Sequence, residues 1–266
     1  MNNKILIIPG TNTLEKVTNS YFLFPLKDFS IGYEKKFTLE EIPNHSYIYI
    51  NRLLDHEDIL KFQTLLPLIQ EKVKGIVFED LGILEILREN KIQVETIFYP
   101  SHAICSSYTV NSYLEEVDTV ILSNDITKEE IQEILTKASK PIGMLIYGHL
   151  PYMYSRRTLL TNYEKNFNLP IQKVKKIKEL ISKQEFLVFE DEKGTILYDP
   201  CVYENRYFLS ASNISYFLID LNMIEIKNVK KFLEEWVKNE SKNNTTSGFL
   251  NRKTIYRLPP KGGKND

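Results

Sequence analysis

Two aspartates, two histidines and a pair of adjacent arginines stand just beyond short apolar runs, where side chains can meet around a substrate. Asp80 and Asp125 could act together as a general base or hold a cation if their loops meet, because carboxylates sharing a site push one pKa up toward neutrality. The competing reading is that each caps the helix after it; Asp125 stands two residues ahead of Thr127. His102 and His149 could shuttle protons or ligate a metal, or be no more than hydrogen-bonded loop residues. His45 and His56 fall elsewhere and read as structural.

The least ordinary stretch runs from Tyr147 through Gly148, His149, Leu150, Pro151, Tyr152, Met153, Tyr154 and Ser155 to Arg156 and Arg157. Two arginines after a glycine turn can grip a carboxylate or phosphate through paired hydrogen bonds while rings such as Tyr154 stack on a substrate. The alternative is packed tyrosines and solvated arginines. Cys105 and Cys201 are too few for a four-thiolate cluster or a closed zinc site, and each reads as buried and inert rather than nucleophilic. No glycine-rich phosphate loop, GxSxG elbow, HExxH or CxxC occurs.

What must position these residues is a set of eight apolar runs rich in Ile, Val, Phe and Tyr: Ile5 to Pro9, Tyr21 to Phe24, Tyr47 to Ile50, Gly75 to Phe78, Glu95 to Tyr99, Thr119 to Leu122, Ile142 to Tyr147 and Tyr216 to Ile219. They alternate with segments of helical period, the pattern of βα units and a parallel sheet. Lys128 to Ser139 predicts a helix opened by a capping box of Thr127 and Glu130. Asp55 to Lys72 predicts another, kinked or split at Pro67. Leu81 to Asn90 and Val229 to Asn239 predict two more.

The expected fold is an α/β, TIM-like (β/α)8 barrel, with a small β-hairpin inserted after the seventh strand around Asp191-Glu192-Lys193-Gly194. Its boundaries are one domain over residues 1–240, including an insertion at 161–213, and an extension at 241–266 whose end, from Pro259, is expected to be disordered. In such a barrel the carboxyl ends of the strands hold the chemistry, so the polar residues there form the candidate set: Asn51, Arg52, Glu79, Asp80, Ser101, His102, Asn124, Asp125, Gly148, His149, Asp220 and Asn222. Asp80, Asp125, His149 and Arg157 are expected around one hollow.

With 34 basic and 35 acidic residues among 266, the chain offers no global field toward nucleic acid or an anionic membrane, although a local basic patch is possible. No run approaches the roughly 20 apolar residues of a membrane span, the first apolar run is too short for a secretory signal, and cysteine is scarce. The expectation is a cytoplasmic protein with no membrane partner.

Several blocks resemble peptidase family U32, the collagenase-like peptidases. IVFEDLGILEILREN is similar to the family's block of strand, Asp, Leu-Gly-Ile and helix, placing Asp80 and Gly82 on its characteristic positions. SHAICSSYTVNSYLEEVDTVILSNDITKEEIQEI resembles the next two βα units, where Asn111 matches a recurrent asparagine and Leu122-Ser123-Asn124-Asp125-Ile126 stands for Leu-Ser-Arg-Glu-Leu. IYGHLPYMYSRRTLLTNY is similar to the family signature, with Gly148, Ser155 and Arg157 in place but Tyr147, Arg156 and Thr158 replacing its His, Gly and Cys. FEDEKGTILYDPC and GFLNRKTIY resemble later segments.

The resemblance implies a peptidase-like hydrolase, with Asp80, Asp125 and His149 as catalytic candidates and Asn111, Tyr154, Arg156 and Arg157 as substrate-binding ones. Relatives that hydroxylate RNA or ubiquinone precursors carry an iron–sulfur cluster on cysteines missing here, so no cofactor and no metal are expected. The partners to consider are a peptide or small molecule, RNA, and a cysteine-complete relative. Two further readings stand beside hydrolysis: a cluster-less RNA- or ligand-binding subunit, and a non-catalytic interaction barrel.

Overall fold

All eight apolar runs form strands. The structure, a computed structural model, describes residues 4–10, 17, 19–181, 183–238 and 245–252. Strands β1 (Lys4–Ile8), β2 (Ser20–Pro25) and β3 (Ser46–Ile50) come first. Helices α1 (His56–Thr64) and α2 (Leu66–Lys72) lead to β4 (Val73–Phe78), and α3 (Gly82–Glu89) leads to β5 (Glu95–Phe98). Helix α4 (Ser107–Glu116) precedes β6 (Thr119–Val120), and α5 (Lys128–Lys137) precedes β7 (Ile142–Ser155). After α6 (Leu159–Asn166) come β8 (Val174–Lys178), β9 (Glu185–Asp191) and β10 (Gly194–Glu204), then β11 (Ile214–Asp220), α7 (Val229–Lys238) and the short β12 (Thr245–Thr246).

The strands make one curled sheet in the order β6-β5-β4-β3-β2-β1-β11-β7-β10-β9-β8, with β12 beside β10. From β6 to β7 every pairing is parallel. At the β6 edge a parallel bridge joins Ile121 to Gly143 of β7, and Leu122 N donates to the Gly143 carbonyl at 3.0 Å. This is a mixed α/β fold with a curled sheet and seven helices among the described residues, compatible with a TIM-like barrel. None of the described helices is long and apolar enough to cross a membrane. The expected disordered end, Pro259 to Asp266, lies outside the described residues.

A strand repeats every two residues, so one parity of each strand faces the inside of the curl. Register sets Lys4 opposite Tyr216, Tyr47 opposite Gly75, and Gly75 opposite Glu95. These residues close the amino-terminal end: Tyr47 donates its hydroxyl to Glu95 at 2.7 Å, the Tyr47 and Tyr216 hydroxyls lie 3.0 Å apart, and Lys4 donates to Tyr216 at 3.1 Å. A Cβ at residue 75 would come within 2.5 Å of the Tyr47 ring, which explains glycine there. Counting up by twos reaches Ile8, Tyr49 and Asn51, Glu79, Tyr99, and Asp220 at the carboxyl ends. Parity thus delivers a defined ring of side chains to the functional face.

The local signals mostly hold. Thr127 caps α5, with Glu130 N donating to its hydroxyl at 3.3 Å and Glu130 Oε2 accepting from Thr127 N at 2.6 Å. The predicted Asp55–Lys72 helix is split at Leu65, because Pro67 has no amide proton to continue it and sits instead in the first turn of α2. Periodicity alone did not mark α4, whose buried residues are only Ser107, Val110 and Leu114, or α6, where Leu160 and Glu164 are buried.

The larger departure is β7, expected to stop at Tyr147 but running on to Ser155. Gly148 takes φ +146°, a conformation closed to most L side chains, and there the chain leaves the parallel sheet. It pairs antiparallel with β10, Gly148 opposite Tyr203 and Pro151 opposite Tyr198, through register shifts around Pro151. The segment read as a gripping loop is therefore an arm of sheet. The predicted hairpin is present as β9 and β10, and the segment before it, with Lys175, Lys176 and Lys178, forms β8, a third strand with a charged outer edge.

The β2–β3 connection carries no helix but buries Leu26, Phe29, Ile31, Tyr33 and Phe37. Ile31 packs with Phe189, Ile196 and Tyr198 of the hairpin, and Lys36 pairs with Asp191 at 2.6 Å. Asn51 holds this connection from the sheet side, its Oδ1 accepting from Ile31 N at 2.9 Å and its Nδ2 donating to the Ile31 carbonyl at 3.1 Å. Loop, arm and hairpin together roof the carboxyl ends of the strands.

Candidate active site

Under that roof lies a cavity of about 340 Å³. Ile8, Leu145 and Leu218 line it with apolar surface, and Tyr33, Tyr49, Tyr99, Tyr154 and Tyr198 are in its wall. Its polar members are Asn51, Glu79, Ser101, His102, His149 and Asp220. Each comes from an element described above: Glu79 follows β4, Ser101 and His102 follow β5, His149 and Tyr154 belong to the arm of β7, and Asp220 ends β11.

The two carboxyls are the electrostatic centre. Glu79 Oε1 accepts from Tyr49 at 3.1 Å and Ser101 at 2.9 Å, yet enclosure by protein outweighs these bonds and raises its pKa to about 7. Asp220 accepts from Tyr33 at 3.2 Å and from Asn222 N at 2.9 Å, and burial lifts it likewise to about 7. A water-poor site lined by rings penalises charge, so each carboxyl exchanges its proton near neutrality. Burial and the neighbouring Glu79 and Asp220 charges also push the Tyr49, Tyr99 and Tyr198 hydroxyls far above their ordinary range, which keeps them neutral.

His149 lines the cavity with Nδ1 2.9 Å from the Asp199 carbonyl, so Nδ1 must carry the proton and donate. Burial lowers its pKa, leaving the ring neutral at pH 7. The Tyr154 hydroxyl is buried with no hydrogen-bond partner among the described residues, beside Arg52, whose Nε is equally unpaired. Arg52 is otherwise matched to Asp58 at 2.6 Å, a buried ion pair that fixes the start of α1.

Of the seven residues expected to act, His149 and Tyr154 line the cavity. Asp125 reaches its rim through His102, with Nδ1 of that ring 3.6 Å from Asp125 Oδ2, and the contact raises the imidazole pKa. The remaining four point elsewhere. Asp80 is turned to backbone, accepting from Leu54 N and Gly82 N at 2.8 Å each, as expected when Glu79 takes the inward parity. Asn111 ties α4 to the end of α5 by accepting from Ser139 N at 2.8 Å and donating to the Lys137 carbonyl at 3.0 Å. Arg156 pairs with Asp55 at 2.8 Å on the surface, and Arg157 is exposed with no polar partner for its guanidinium among the described residues. The arm's extended course carries both arginines past the cavity, so the expected hollow shared by Asp80, Asp125, His149 and Arg157 does not form.

Glu79 and Asp220 belong to the strand-end set without a role of their own there, and of the cavity's tyrosines only Tyr154 is a sequence candidate. The signal was the strand parity: Tyr47, Tyr49 and Asn51 share one face, and so do Tyr216, Leu218 and Asp220.

Among the described residues no three His, Cys, Asp or Glu side chains gather as a metal site. Cys105 is exposed after β5 and Cys201 half-buried in β10; with no further thiol in the chain, this donor set does not fit a four-thiolate cluster.

No curated protein and no solved structure matches the chain. A family model described as Peptidase family U32 matches residues 36–252, a span that takes in every parallel strand after β2, the hairpin, and both Glu79 and Asp220. The chain belongs to peptidase family U32.

Proposed function

We propose that the chain is a hydrolase of short peptides, built on a TIM-like (β/α)8 barrel whose acid–base pair is Glu79 and Asp220. The observation that carries this reading is the presence of two enclosed carboxyls, each near pH 7, on the wall of one cavity. Around neutrality two such groups are each partly ionised, so a carboxylate and a carboxylic acid are available together on one wall. The carboxylate takes a proton from water as the water oxygen bonds to the peptide carbonyl carbon. The carboxylic acid gives its proton to the departing nitrogen as the C–N bond breaks, so protons and bonds balance.

The other groups have supporting roles in this scheme. Neutral His149 and the unpaired Tyr154 hydroxyl offer hydrogen bonds to the substrate backbone. Asp125 orients His102 at the rim, where the imidazole exchanges protons with solvent. Asp80 holds the turn into α3 so that Glu79 stays inward.

The test is turnover of a defined mixture of short peptides, followed by mass spectrometry. Wild-type protein is expected to release amines with an optimum near pH 7, and Glu79→Gln or Asp220→Asn each to lower the rate about a hundredfold, the usual scale for losing a general acid or base. Equal rates in wild type and both variants would remove the pair from the chemistry. Peptide binding with no turnover by wild type would replace hydrolysis with ligand binding.

A further inference from the structure

The cavity's lining says which ligand chemistry it can stabilise. Its acidic members are Glu79 and Asp220, and no lysine or arginine lines it among the described residues. The nearest buried cation, Arg52, is already matched by Asp58 at 2.6 Å. A ligand carboxylate or phosphate would therefore meet two carboxyls, while the cationic groups beside them, Arg52 and His102, are each already held by an aspartate. A ligand cation would meet two anions.

The tyrosines add to this preference. Four of the five have their hydroxyls engaged: Tyr33 with Asp220, Tyr49 with Glu79, Tyr99 with Asn124 at 2.8 Å, and Tyr198 with the Gly32 carbonyl at 3.2 Å. With the hydroxyls held, what these side chains offer the cavity is ring surface, whose electron-rich faces attract cations. Tyr154 adds a further ring to the wall, its hydroxyl set beside the Arg52 guanidinium.

We propose that this cavity takes a primary ammonium group, seated against the Glu79 and Asp220 carboxyls and the tyrosine rings. The proposal rests on the reading that this cavity is the functional site, and it names the substrate class as one bearing a free amine. The amine belongs either to the amino terminus of a peptide or to a lysine side chain; both present the same –NH3+.

Binding would follow the ionisation of the pair. Glu79 faces Tyr49, Tyr99 and His102, and Asp220 faces Tyr33, Tyr49, Tyr99 and Tyr198. The tyrosines stay neutral near pH 7, and His102 is engaged by Asp125. An ammonium ligand thus favours loss of a proton from the pair, which leaves a carboxylate to face it and the other carboxyl able to donate.

Titration calorimetry with leucine amide, the methylamide of N-acetyl-lysine, and N-acetyl-leucine separates the possibilities, because the first two carry ammonium groups of different origin and the third carries only a carboxylate. At least one ammonium probe is expected to bind at least tenfold tighter at pH 7.5 than at pH 5.5, and to release protons into buffer. The Glu79→Gln, Asp220→Asn double variant is expected to lose at least tenfold at pH 7.5, with its fold checked by circular dichroism. A stronger leucine amide assigns the terminus, and a stronger lysine derivative assigns the side chain. Absence of binding by both, comparable binding of N-acetyl-leucine, or equal ammonium affinity in the double variant would overturn the proposal. These readouts need no turnover, so an inactive protein that binds ammonium sinks only the hydrolytic reading, and an active one that ignores it sinks only this inference.

Discussion

Gly148→Ala is expected to destabilise the protein by about 3 to 5 kcal/mol, read as a fall in urea midpoint at unchanged slope. Gly148 sits at φ +146°, where an L side chain is strained. A Cβ there would stand 2.8 Å from Asp220 Cβ and 2.9 Å from the Asp220 carbonyl oxygen. Those atoms belong to β11 in the middle of the sheet and have no room to yield. Strain of about 1 to 3 kcal/mol and overpacking of similar size add up to the expected loss. The arm of β7 springs from this residue, so the variant should also loosen the roof over the cavity. Gly82→Ala makes the control: its nearest new contact is a side-chain oxygen of Asp80 at 3.1 Å, and it opens a helix, so the change should stay within about 1 kcal/mol. A loss below about 1 kcal/mol at residue 148 would contradict the tight crossing of β7 and β11.

Stability should depend on pH through the cavity carboxyls, with a definite sign. Folding raises Glu79 from 4.5 and Asp220 from 3.8 to about 7, so between those limits the folded state binds more protons than the unfolded chain. Their contribution is therefore most favourable below about pH 4, falls as pH rises, and is fully lost above about pH 7. The penalty above pH 7 is about 3 kcal/mol for Glu79 and about 4 kcal/mol for Asp220. Replacing both by amides removes it. Glu79→Gln keeps a carbonyl oxygen where Tyr49 and Ser101 both donate, and Asp220→Asn keeps one for Asn222 N. The double variant should be several kcal/mol more stable than wild type at pH 8.5 and no more stable at pH 4, by urea denaturation at both values. A constant difference across that range would contradict raised pKa values. The gain would also mark a site where function is kept at the expense of stability.

The eight strands were legible because a buried parallel strand must be a short run of β-branched and aromatic residues, and the two other such runs, EFLVFE and TILYD, are set apart as a hairpin by the Asp191-Glu192-Lys193-Gly194 turn between them. Capping at Thr127 and the break at Pro67 were legible because each rests on one local bond, made or missing. The course of β7 was not, since Gly148 signals a turn equally well whether the chain then loops or swings into an antiparallel arm; the difference lies in β10, fifty residues later. Helix α4 was hidden by a polar sequence, SYTVNSYLEE, that buries few apolar side chains.

For the site, position at a strand end was a sound criterion and parity was the missing one. Glu79 and Asp80 are neighbours, but the face that carries Tyr47, Gly75 and Val77 also carries Glu79, leaving Asp80 to the turn. Tyr99 and Asp220 follow by the same count from Glu95 and Tyr216. Tyr33, Tyr154 and Tyr198 lie outside that count, because they enter from the roof, whose packing is set by tertiary contacts between distant segments.

The central claim is that two carboxyls share one enclosed cavity and ionise near neutrality. Its most direct measurement is a carbon-detected NMR titration of the side-chain carboxyls of wild-type protein, with the Glu79 and Asp220 signals assigned by loss in Glu79→Gln and Asp220→Asn. Both signals are expected to move with midpoints near pH 7. Midpoints near pH 4 for both would contradict the account.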